Sequence, residues 1–185
     1  MRVLKESLLA INRNFNKNLC SWFAGMFTAL NPSVEEQLTL QPEMFAALSS
    51  PHSRPINIIL GLLKNLCSHP RFLTDDFLDQ TAVLFASDVK AVHQNTLGVS
   101  ANWRKRKKNI MMPICCAATQ GLMSRDESTQ NKIVKLIQTF GETESPTLKE
   151  ALSAYAETML TSTKKELAAY LKDNVSDALS TDKSC

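Results

Sequence analysis

The chain has 185 residues, of which 44% are hydrophobic and 21% charged, with five glycines and a formal net charge of +3. That composition describes an ordinary folded domain or a short repeat array rather than a disordered or fibrous chain. It contains no apolar run of the roughly 18 residues a membrane helix needs, and its start lacks the apolar stretch and small-residue cleavage site of a secretory signal.

Helical periodicity runs through almost the whole chain, and no strand-hairpin signal stands out. Leu4, Leu8, Ile11 and Phe15 trace one face of a helix expected over Val3 to Phe15. Pro32, Pro42, Pro51, Pro70 and Pro146 lie at breaks between stripes. Ser33 with Glu35 and Glu36 reads as a capping box, and Thr74 is followed by Asp75 and Asp76, acids that suit the positive end of a helix. Farther on, Ile133, Leu136, Ile137 and Phe140 form another stripe, which Gly141 ends. The last helix is expected around Thr163 to Asp173.

Self-similarity at a spacing of 37 residues overlies these stripes. Ser50, Ser87, Ser124 and Thr161 precede successive stripes as expected N-caps, with Pro51 at a first helical position and Ser124–Glu127 as a capping box. Trp22, Ile59, Thr96 and Ile133 align in one type of helix, as do Phe23, Leu60, Leu97 and Val134, and Tyr170 and Leu171 extend both columns. A second type aligns Ile11, Leu48, Phe85, Leu122 and Met159. His93, Thr96 and Ser100 interrupt the apolar columns of the third unit, which is therefore expected to pack less well. The expected fold is all-α: a right-handed α–α superhelix of HEAT-like helix pairs with a period of 37 residues. Residues 1–173 are expected to form one such domain, beginning and ending in mid-repeat, and the small, polar stretch 174–185 is expected to be a disordered tail.

The segment from Phe15 to Asn57, FNKNLCSWFAGMFTALNPSVEEQLTLQPEMFAALSSPHSRPIN, resembles a bacterial family known as domain of unknown function 6493. The pieces FLTDDFLDQTAVLFAS and STQNKIVKLIQTFG are similar in the same way, so the resemblance spans about residues 8 to 173. It implies an α-superhelical fold and a bacterial cytoplasmic setting. It implies no activity, and no catalytic motif comes with it.

The residues themselves offer little chemistry. Cys20, Cys67, Cys115, Cys116 and Cys185 include no Cys-x-x-Cys pair, and His52, His69 and His93 have no second ligand one turn away. No metal or cofactor is expected. The histidines are read as surface or capping residues. Cys115 and Cys116 are adjacent, with no imidazole within a turn to activate either, so at least one should pack as a small apolar residue. No glycine-rich phosphate loop, nucleophile elbow or H-E-x-x-H motif occurs.

The most distinctive polar feature is Trp103 followed by Arg104, Lys105, Arg106, Lys107 and Lys108. Outside that run, basic and acidic residues nearly balance, so basicity is local. The run reads either as a solvated turn between helices or as a phosphate grip with Trp103 stacking on a base. Three functions follow, in order of expectation: a protein-interaction scaffold, a nucleic-acid-binding module using residues 103–108, and an enzyme acting on nucleic acid or peptide. The third would need a cleft of buried acids. Neither membrane binding nor a small-molecule ligand is expected.

Overall fold

The computed structural model describes residues 1–13, 15–101 and 108–171, and for Ala101, Lys108 and Asn109 the backbone alone. Every regular element among them is helical: α1 Arg2–Ile11, α2 Lys17–Ala29, α3 Val34–Thr39, α4 Gln41–Ala47, α5 Ser53–Leu66, α6 Thr74–Phe85, α7 Lys90–Ala101, α8 Lys108–Ala118, α9 Glu127–Phe140, α10 Pro146–Ser153, α11 Thr161–Glu166 and α12 Ala168–Leu171. A 3-10 turn, Thr119–Met123, closes α8.

These helices lie in two rows. In one row α1 packs on α4, α4 on α6, α6 on α8 and α8 on α10; in the other α2 packs on α5, α5 on α7, α7 on α9 and α9 on α11. Each row is cross-linked to the other by pairs such as α1 with α2 and α8 with α9. The core runs between the rows. Ile11, Leu48, Phe85, Leu122 and Met159 are all buried in it, as are Ile59, Leu60, Ile133 and Val134.

Local sequence explains most element ends. Asn16 caps α2 by accepting from the Leu19 N–H at 3.0 Å, so the first stripe stops at Ile11, and Phe15 lies outside the helix, stacked on Phe23. Ser33 and Glu36 form the expected capping box of α3, and Asp75 and Asp76 occupy the first turn of α6.

The serines spaced by 37 residues do a different job from the one expected. Each stands three residues before its helix, and its hydroxyl accepts from the backbone N–H two residues on: Ser50 from His52 at 3.4 Å, Ser87 from Val89 at 3.2 Å and Ser124 from Asp126 at 3.3 Å. They tighten the turn that enters the helix. Pro51 therefore lies in that turn rather than in a first helical turn, and the cap of α9 is Asp126, which accepts from the Thr129 N–H at 2.7 Å. Thr161 is the first residue of α11, whose N-cap is Leu160.

Trp22 departs from its expected core column, being 58% exposed. In α2 the inward stripe is Cys20, Ala24 and Phe27, with Phe23 beside it. That stripe matches Ile56, Leu60 and Leu63 of α5 at a spacing of 36 residues, one fewer than the serines show. A single-residue offset turns a helix by about 100°, enough to carry Trp22 from the core to the outside.

Two of the three polar residues that interrupt the apolar columns around α7 satisfy themselves locally. Thr96 and Ser100, both fully buried, turn their hydroxyls to the carbonyls four residues back at 2.8 and 3.0 Å.

Two buried glutamines tie one unit to the next. Gln41 donates to the carbonyls of Leu38 and Arg71 and accepts from the Leu73 N–H, so the entry to α4 is fixed to the entry to α6. Gln130 donates to the carbonyls of Leu122 and Ser124 and accepts from the Leu160 N–H at 3.0 Å, fixing α9 to the entry of α11. Replacing Gln130 with Leu keeps the volume but strands three backbone groups in the interior. It should destabilise the chain by about 1–3 kcal/mol in urea unfolding; an unchanged midpoint would mean that water reaches those groups.

Candidate functional site

Trp103, Arg104, Lys105, Arg106 and Lys107 lie outside the described residues; α8 begins at Lys108, whose side chain is likewise outside them. Residues 174–185 of the expected tail also fall outside the described part.

Among the described residues, the chemistry weighed from the sequence is dispersed. No group of three or more His, Cys, Asp or Glu side chains is placed to hold a metal ion. Cys115 is fully buried, its thiol turned to the Leu136 carbonyl, and burial pushes its pKa up to about 12. Cys116 is half-buried, and burial raises its thiol pKa too. Both therefore stay protonated thiols near neutrality and pack as small apolar side chains. No aspartate or glutamate among the described residues is buried, so the cleft of buried acids that an enzyme would need is not among them.

The three histidines have separate environments. His52 reaches the Phe15 carbonyl at 3.3 Å, and His69 accepts from the Arg71 N–H at 3.2 Å. His93 is the exception to the expected surface or capping role: it is 1% exposed, and neither ring nitrogen makes a hydrogen bond.

His93 lines a cleft of about 280 Å³ between the turn Phe85–Asp88 and the segment Gln120–Arg125. A second cleft, about 210 Å³, lies one unit earlier between Leu48–Pro51 and Val83–Val89. Most lining residues of the two correspond at 37-residue spacing: Leu48 with Phe85, Ser50 with Ser87, Ile56 with His93 and Ser87 with Ser124. One unit beyond His93 the same position is Gln130, whose amide donates to the carbonyls that correspond to those of Phe85 and Ser87. The imidazole is thus an incomplete substitute for a fully bonded amide.

A larger concavity lies elsewhere. A groove of about 600 Å³ runs along the outer face of α2, lined by Asn18, Ser21, Trp22, Gly25, Met26, Ala29 and Arg54. It belongs to an apolar end of the molecule, where Val3, Leu9, Leu19, Trp22, Leu30 and Val34 are all exposed. At the other end, the exposed residues of α10 and α11 are mostly polar, including Thr147, Glu150, Ser162, Lys164 and Lys165. Assigning Trp22 to the core hid this groove; the i, i+4, i+7 spacing of Cys20, Ala24 and Phe27 was the signal available for it.

Burial holds the His93 pKa below the ordinary 6.5, while the carbonyls of Phe85 and Ser87 and the charges of Asp88 and Asp126 pull it back up. Arg125 lines the same cleft, and Lys90 is bonded to Asp126 at 2.9 Å. As pH falls past 6.5 the unfolded chain takes up a proton that the folded chain refuses. The neutral ring's contribution to stability is therefore complete above that pH and is lost on acidification towards the folded pKa. Asp126 titrates well apart: its bonds to Lys90 and Thr129 lower its pKa to about 2. We expect stability to decline as pH falls below about 7. His93→Gln should flatten that slope and stabilise the chain by about 1 kcal/mol, because an amide can bond both carbonyls. Urea titrations at several pH values test this, and an unchanged slope would contradict it.

Over residues 1–91 the chain is similar to a family described as Domain of unknown function (DUF6493), whose model matches that stretch. The matched part contains the α2 groove and ends just before His93. No curated protein and no solved structure matches the chain.

Proposed function

We propose that the chain is a HEAT-like, right-handed α–α superhelix with a unit of 37 residues, and that it serves as a protein-interaction scaffold. Two parallel rows of helices support the first part, together with the buried series Ile11, Leu48, Phe85, Leu122 and Met159 and the serine turns at Ser50, Ser87 and Ser124. The 36-residue spacing between α2 and α5 is one local adjustment within it. A bacterial cytoplasm is the setting implied by the family resemblance.

The groove beside Trp22 carries the functional reading. An indole left 58% exposed in a concave apolar surface is the kind of anchor that protein interfaces use, since a large rigid side chain in a desolvated pocket contributes disproportionately to binding. The thiols, carboxylates and histidines described above supply no competing catalytic arrangement. A second reading, nucleic-acid binding, draws on the run of five cations beside Trp103 and requires strong salt dependence.

Tagged chain incubated with lysate of its own host, half of it nuclease-treated, should retain the same protein partner in both halves and lose it when Trp22→Ser is used. If recovery disappears with the nucleic acid, and replacing Arg104 to Lys108 with Ser has the same effect, the second reading takes precedence. Retention of no protein in either half would contradict the scaffold.

A further inference from the structure

We infer that the groove on α2 receives an amphipathic helix of a partner protein that carries carboxylates alongside its apolar stripe. The inference rests on the scaffold reading and names the partner chemistry for the same surface.

The shape of the occupant comes from the interior of the array. On α7 the stripe Val92, Asn95 and Val99 belongs to a helix packed on its predecessor α5, and the Asn95 amide donates to Asn57 Oδ1 of α5 at 2.7 Å. On α2 the corresponding positions, 73 residues earlier, are Leu19, Trp22 and Met26. No helix among the described residues lies there, and Leu19 and Trp22 are exposed. The floor leaves room for one: a Cβ added at Gly25 would meet nothing within 4 Å, and Ser21 is turned to its own Lys17 carbonyl at 2.7 Å.

Charge selects among helices. Among the described residues, Arg54 of α5 is the one charged residue lining the groove, and Lys17 opens α2. Neither has a carboxylate partner among the described residues, whereas Lys5 and Arg13 nearby are paired with Glu43 and Glu6. A second copy meeting this face head to head would bring Arg54 and Lys17 against their own counterparts. Meeting it head to tail would offer the largely polar residues of α10 and α11 to the indole. A foreign helix with acidic flanks satisfies both the apolar stripe and the free cations.

The test uses the full chain with Trp103→Phe, so that Trp22 is the only indole. Two synthetic amphipathic peptides of about five helical turns share one Leu/Phe stripe; one carries Glu on its flanks and the other Lys. The Glu peptide should shift Trp22 emission to the blue, bind more weakly as salt rises, and lose about tenfold in affinity on Arg54→Glu. The Lys peptide should bind only that variant. With fluorescein-labelled peptide, Trp22→Ser should abolish binding; Trp22 and Arg54 are exposed, and circular dichroism checks that each variant remains folded.

Failure of the Glu peptide to bind would overturn the inference, and so would equal binding of both peptides with no response to Arg54→Glu. Self-association of the chain, or adsorption to anionic phospholipid vesicles, that Trp22→Ser abolishes would assign the face to a second copy or to a membrane and overturn it too. If a partner recovered from lysate survives Trp22→Ser while the Glu peptide does not bind, the scaffold reading stands and this inference alone falls.

Discussion

A pair of short helices has two apolar faces and can cover only one of them with its own partner. The other face depends on the next pair, and this dependence organises the whole molecule. Each row extends because α4 covers what α1 leaves open, α6 what α4 leaves open, and so on to α10. A buried leucine or isoleucine is worth about 1.5–3 kcal/mol relative to exposure, so leaving a row uncovered is costly. Apolar burial alone would still permit sliding. The glutamines at 41 and 130 limit it, because each bonds backbone on both sides of a unit boundary and a shift of one residue would leave those groups unpaired inside.

Much of this was legible in the sequence. The all-helical class followed from periodicities that needed no tertiary information, and the capping box at Ser33 and the first-turn acids of α6 were purely local signals. Within the series Ile11 to Met159, Leu48, Phe85 and Leu122 lie next to turns that the serine hydroxyls tighten, which helps hold their spacing constant.

The errors have two physical sources. At α2 the inward stripe matches that of α5 at 36 rather than 37 residues, and a fixed spacing of 37 puts Trp22 inside. At His93 the reading by residue type failed, since a histidine is usually exposed, whereas position in the unit, equivalent to Ile56 and Gln130, dictates burial. The same equivalence shows what the imidazole lacks. The α2 groove was legible only through the Cys20, Ala24 and Phe27 stripe, which turns Trp22 outward; its extent depends on which faces the neighbouring helices leave open.

The exposure of Trp22 links the register of α2, the outer face of that helix and the proposed docking surface, so one measurement bears on all three. Acrylamide quenching of the free chain with Trp103→Phe reads that indole directly. The account predicts red-shifted emission, efficient quenching, and no change on dilution. Blue-shifted emission protected from quencher in a monomeric chain would put Trp22 back in the core and contradict the register on which the groove depends.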